Sequence, residues 1–82
     1  MVKLFFDDSF EKAFRKIKDQ ALKNKLIKQF SKIREDPEVG KPMMYRRKGT
    51  RELYMAPFRL SYTYNKEEGK VIFLDFYHKD EQ

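Results

Sequence analysis

Arg59 and His78 are the two side chains of this sequence whose type and position point most directly to chemistry. An arginine in mid-strand, on the face away from the large apolar residues, is held rigidly by its backbone. It presents a planar fork of donors that matches a phosphate. His78 is the only histidine of the chain, and an imidazole ordinarily titrates near neutrality, so it can lend or take a proton. It directly follows the run Val71-Ile72-Phe73-Leu74-Asp75-Phe76-Tyr77, which suits a central strand, and Lys79 comes next. A second group, Arg46, Arg47, Lys48 and Arg51 with Tyr45 and Tyr54 interleaved, has the composition of a nucleic-acid surface. Cations there neutralise phosphates and aromatic faces stack unpaired bases. Each feature also has a plainer explanation. Arg59 can be a surface partner of an acid such as Asp75, since exposed pairs are common and weak. The basic cluster can be a solvated hairpin with Tyr45 and Tyr54 as strand core, and His78 can be incidental.

The net charge of +6 is unevenly distributed. Between Gly40 and Leu60, Lys41, Arg46, Arg47, Lys48, Arg51 and Arg59 stand against Glu52 alone, while the rest of the chain is nearly balanced. A field confined to one stretch points to a polyanionic partner. Cysteine is absent and histidine occurs once, which excludes disulfides, a thiolate metal site and a zinc site. Acidic spacing fits no calcium loop, so no metal and no cofactor is expected. No apolar run approaches the roughly 20 residues of a membrane span, and the start lacks a signal-peptide pattern. A cytoplasmic location is therefore expected.

Positioning these side chains falls to one domain, residues 1–82, whose eight Phe and five Tyr must supply a compact core. Residues 2–6 read as a short strand. Asp8 with Glu11 has the form of a capping box, and Phe10, Ala13, Phe14 and Ile17 recur at helical spacing. Asp19 is a plausible second cap, followed by the stripe Leu22, Leu26, Phe30 and Ile33, which Pro37 must end. Residues 43–47 read as a weak strand, 48–50 as a turn and 51–56 as a strand, with Pro57 interrupting at an edge or bulge. From Phe58 the chain alternates: Phe58, Leu60, Tyr62 and Tyr64 share one face, and Arg59, Ser61 and Thr63 the other. Residues 65–69 form a hairpin loop and 70–77 a central strand, apolar on both faces. The fold class is α+β, ordered β-α-α-β-β-β-β, with a helical hairpin on one face of a mostly antiparallel twisted sheet.

With these elements in place, the chain resembles the RelE/ParE toxin superfamily of type II toxin–antitoxin systems, on the RelE side. The likeness runs through Asp36-Pro37-Glu38-Val39-Gly40-Lys41-Pro42 and Gly49-Thr50-Arg51-Glu52-Leu53-Tyr54. It continues in Phe58-Arg59-Leu60-Ser61-Tyr62, close to the family's "YRLVY" strand, and in Phe76-Tyr77-His78-Lys79, similar to its closing "GHR" or "YHY". The resemblance implies an endoribonuclease that cleaves mRNA in the ribosomal A site without a metal, by 2′-hydroxyl attack on the adjacent phosphorus. It implies a cognate acidic antitoxin, and no membrane or small-molecule cofactor. Arg59 falls on the family's phosphate-binding arginine, His78 where YoeB-like members place an acid–base histidine, and Lys79 on RelE's late arginine. Two departures stand out. Glu52 and Tyr54 occupy the places of two lysines in RelE, as a general base and as a base-stacking or proton-donating group. The catalytic tyrosine of RelE's C-terminal extension also lies beyond Gln82. The resemblance leaves two alternatives open: a ParE-like module that inhibits gyrase by binding, and a non-catalytic small basic RNA- or ribosome-binding protein.

Overall fold

The computed structural model describes residues 2–81. Strand β1 (Lys3–Phe6) leads into helices α1 (Asp8–Arg15) and α2 (Gln20–Glu35), followed by β2 (Lys41–Pro42), β3 (Arg51–Met55), β4 (Phe58–Asn65) and β5 (Lys70–His78). The strands form one mixed five-stranded sheet in the order β1-β5-β4-β3-β2. Only the β1–β5 pair is parallel, so the first and last strands lie side by side. The fold class and element order match the sequence reading, and the helices cover a single face.

Local chemistry accounts for the element ends. Helix α1 is capped by Asp7, whose carboxylate accepts from the Ser9 backbone N–H at 3.2 Å and the Ser9 hydroxyl at 2.6 Å. The expected Asp8–Glu11 box is therefore displaced by one residue. Its reciprocal position falls on Phe10, which is buried, and Glu11 instead accepts from Arg15 one turn on, at 3.0 Å. Asp19 does cap α2, accepting from Ala21 N–H at 2.9 Å. The helix stops at Glu35, with Asp36 already outside the helical region before Pro37, in keeping with the way a following proline ring disfavours helix.

Phe10, Leu26, Ile33, Leu60, Tyr62, Val71 and Phe73 are fully buried between the helices and the sheet. Phe6, Phe10, Phe14, Phe30, Phe73 and Phe76 form a continuous aromatic cluster with ring centroids 4.7 to 6.4 Å apart. Offset and edge contacts of this kind add about 0.5–1.5 kcal/mol per pair beyond area burial.

The segment between α2 and the sheet is fastened by two side chains. The Tyr62 hydroxyl donates to Pro37 C=O at 2.8 Å and accepts from Gly40 N–H at 2.9 Å. Only glycine fits at position 40, where a Cβ would meet that hydroxyl at 2.6 Å. Burial pushes the Tyr62 phenol above its ordinary value of 10.0. The Arg51 guanidinium donates to Glu38 C=O at 3.0 Å and Gly40 C=O at 2.8 Å.

Two strand expectations need correction. Regular pairing to β3 covers only Lys41–Pro42. After the Met43 N–H bond to Thr50 C=O at 2.9 Å, residues Tyr45–Arg47 form a 3-10 turn rather than a strand. Pro57 lies in the β3–β4 turn, after a cis Ala56–Pro57 peptide. The ladder irregularity is instead between Ser61 and Tyr62, where the partners jump from Asp75 to Phe73 and leave Leu74 as the extra residue of β5.

Candidate active site

That bulge decides which side chains meet. Directly paired antiparallel residues share a face, and neighbours along a strand alternate. Tyr54 pairs with Arg59, and Arg59 with Tyr77, so these three form a row across β3, β4 and β5. Beside it, Glu52 pairs with Ser61 and Ser61 with Asp75. Both rows lie on the face that the helices leave open. Phe58, by contrast, pairs with His78 and packs against the helix-side core.

Arg59 and His78 therefore project from opposite faces of the sheet. His78 stands edge-on to the Phe58 ring, with centroids 5.6 Å apart. Its Nδ1 accepts from Asp80 N–H at 3.3 Å and lies 3.5 Å from the Asp80 carboxylate. The structure thus separates the pairing on which the histidine reading rests. Lys79 follows in an exposed 3-10 turn, its backbone N–H donating to Pro57 C=O at 3.0 Å.

What the open face does assemble is a compact polar cluster. The Glu52 side chain is only 2 % exposed and lies 3.8 Å from Arg59 Nη1. That separation is an ion pair rather than a hydrogen bond. Tyr77 donates its phenol proton to the other Glu52 oxygen. Arg59, 36 % exposed at its side chain, also lies over the Tyr54 ring, with its central carbon 5.6 Å from the centroid. Buried Arg59 Nε meets no hydrogen-bond partner among the described residues. A buried carboxylate needs such partners, because desolvating an unpaired charge costs several kcal/mol. Glu52 and Tyr54 thus flank the guanidinium, which stays partly exposed on the open face. Arg59's acid is Glu52, across β3, and not Asp75.

The remaining basic residues divide. Arg46, Lys48 and Tyr45 are exposed around the 3-10 turn, while Tyr54 is half-exposed. Arg51 departs from the expected surface set, its guanidinium being occupied by the carbonyls of the α2–β2 segment. The Arg47 side chain lies outside the described residues. A groove of about 540 Å³ runs from this segment, past Tyr45 and Tyr54, to Glu52 and Arg59. Tyr77 is the site member that sequence reasoning missed. A signal existed: Asp75 and Tyr77 share the strand parity of buried Val71 and Phe73. An aspartate at a core position of a central strand announces an irregularity in the ladder.

Among the described residues no group of three or more His, Asp or Glu side chains could hold a metal ion, and no helix is long and apolar enough to cross a membrane.

Known proteins share this architecture. The isolated E. coli RelE toxin superposes with a TM-score of 0.79 at 19 % identity, over 95 % of this chain and 84 % of that one. The toxin–antitoxin complex RelBE2 from Mycobacterium tuberculosis gives 0.85 at 21 %, over 95 % and 98 %. The archaeal RelE–RelB complex from Pyrococcus horikoshii gives 0.78 at 11 %, over 99 % and 98 %. At these identities the likeness is one of fold. No curated protein matches the sequence. The sequence pattern described as the ParE toxin of the type II toxin–antitoxin system parDE matches residues 4–82. With the fold, and with a match spanning nearly the whole chain, the protein belongs to the RelE/ParE family of type II toxin–antitoxin toxins.

Proposed function

We propose that the open sheet face binds mRNA on the ribosome and cuts it by attack of a ribose 2′-hydroxyl on the adjacent phosphorus, releasing the 5′-oxygen of the next nucleotide. The observation that supports this is the row Tyr54–Arg59–Tyr77 backed by buried Glu52. Arg59 carries the charge that builds on the phosphoryl oxygens, a preorganised donor acting where charge develops. The 2′-hydroxyl proton passes to the Tyr77 oxygen as the Tyr77 proton moves onto Glu52. Water protonates the leaving 5′-oxygen, and the hydroxide so formed takes the proton back from Glu52 through Tyr77, leaving a 2′,3′-cyclic phosphate and the restored site. Glu52 acts through the phenol because its own side chain is buried. The toxin acts in the cytoplasm and is silenced by an acidic antitoxin, in line with the RelBE and RelE–RelB complexes named above.

Induced expression followed by a time course of transcript integrity tests the reading. Transcripts should fragment with the natural chain and stay intact with Arg59→Ala or Tyr77→Phe, each checked for folding by circular dichroism. Growth arrest with intact transcripts would overturn it. That outcome belongs to a second reading, a gyrase-inhibiting module without catalysis, which the ParE description of the matching family favours.

A further inference from the structure

Six large apolar side chains are exposed among the described residues, and three of them crowd one place. Met44, Tyr45 and Tyr54, at 70, 90 and 51 % exposure, all line the groove that ends at Arg59. The other three, Phe5, Phe6 and Ile27, lie on β1 and α2. Water-exposed apolar surface gathered around one concavity marks a recognition site more often than chance. Tyr45 is further held at φ 60°, a left-handed conformation that a bulky residue seldom adopts and that recurs where binding surfaces are built.

We infer that this groove is a slot for a single unpaired nucleobase, its flat faces sandwiched by Met44, Tyr45 and Tyr54 while the attached phosphate meets Arg59. The inference rests on the RNA reading above and adds the position and selectivity of base recognition. Two properties of the groove select this ligand. One end carries the fixed guanidinium and Lys41 lines one side, with Arg46 and Lys48 exposed beside Tyr45, so an anionic chain is drawn in. The walls near the rim are rings, thioethers and Pro42, which offer contact to any π face but few groups to read a base edge. Recognition by stacking alone tolerates sequence. A paired base already stacked in a duplex cannot enter, so single strands are selected.

The test uses the full-length protein and a five-nucleotide single-stranded RNA with 2′-O-methyl riboses, which cannot be cleaved, titrated by fluorescence anisotropy. The comparison strands carry one abasic position moved along the chain, or the complementary strand annealed. Met44→Ala/Tyr45→Ala changes only exposed side chains, so the fold should survive. It should weaken the intact strand roughly tenfold, within the range for losing a stacked base. The same variant should bind the strand that is abasic at the critical position as the natural protein does. Arg59→Ala should weaken both strands alike. Annealing should abolish the base-dependent part, and exchanging one base for another should change affinity by less than about threefold. Equal affinity for intact and abasic strands would overturn the slot, as would failure of the natural protein to bind the strand. An acidic peptide that competes while no base dependence is seen would likewise overturn it, reassigning the groove to a protein partner. Because the probe cannot be cut, base-dependent binding alongside intact transcripts in cells would refute cleavage and leave the slot standing.

Discussion

Replacing Arg59 by alanine should destabilise this protein mainly through what it leaves behind. Two unit charges 3.8 Å apart attract by about 4 kcal/mol at an effective dielectric constant near 20. The Arg59 side chain is 36 % exposed, and solvent screening reduces the net coupling to about 1–2 kcal/mol. Removing the guanidinium also leaves the Glu52 carboxylate buried, with a charge partner gone, so Arg59→Ala should cost about 2–3 kcal/mol in all. Glu52→Gln keeps the shape and the acceptor for Tyr77 and should cost about 1 kcal/mol or less. In the Glu52→Gln background the arginine loss should then become cheaper by the coupling, about 1–2 kcal/mol. For 82 residues the total stability is about 4–12 kcal/mol, so these differences are readable as urea midpoints of the four proteins. Unchanged slopes would show that the comparison is two-state. A coupling below about 0.5 kcal/mol would refute the view that Glu52 and Arg59 form one electrostatic unit. The cycle also has a use: it separates the stability cost of a stranded Glu52 charge from that of losing the guanidinium, so the activity of Arg59→Ala can be read at a temperature where that variant is known to be folded.

Other consequences are simpler. Tyr62→Phe removes both bonds to the α2–β2 segment and leaves the buried Gly40 N–H without its acceptor. It should lower stability by about 2 kcal/mol, seen as a fall in melting temperature of roughly 8–16 °C for a domain of this size. Because burial raises the Tyr62 phenol above 10.0, the folded state favours the protonated form. That contribution is complete below the unfolded value and lost as pH rises through the folded one. The stability gap between the natural chain and Tyr62→Phe should therefore narrow in urea titrations above pH 10, and a widening gap would contradict the burial argument. His78→Ala should leave transcript cleavage within about threefold, whereas a true acid–base group contributes about 10²–10⁴-fold. A loss of that larger size in timed RNA gels would restore the histidine to the chemistry.

Much of the fold was legible because it rests on short-range regularities. The stripe Leu22, Leu26, Phe30, Ile33 and the stop before Pro37 specify α2 without reference to anything distant. The alternation from Phe58 to Tyr64 assigns the faces of β4 correctly, since Leu60 and Tyr62 are buried with the helices and Arg59 stands on the open face. The misreadings fall where a long-range partner decides. Arg51 reads as one more surface cation until Glu38 and Gly40 carbonyls arrive from the α2–β2 segment. Glu52 reads as a candidate general base open to substrate, yet a neighbouring arginine and a tyrosine from β5 hold it buried.

The position of the chemistry turns on one residue that takes no part in it. Side chains in a strand alternate with a period of two, so a single extra residue exchanges the faces of everything beyond it. Without the bulge at Leu74, the core parity of Val71 and Phe73 would continue through Asp75 to Tyr77, and His78 would stand beside Arg59. With it, Phe76 and His78 turn toward the helices, and Tyr77 crosses to the open face and reaches Glu52. The bulge also spares the core a buried aspartate, since Asp75 comes out exposed, and packs Phe76 against Phe10 at 5.4 Å instead. Hydrophobic burial thus selects the register, and the register selects which proton-bearing group, imidazole or phenol, shares a face with the guanidinium.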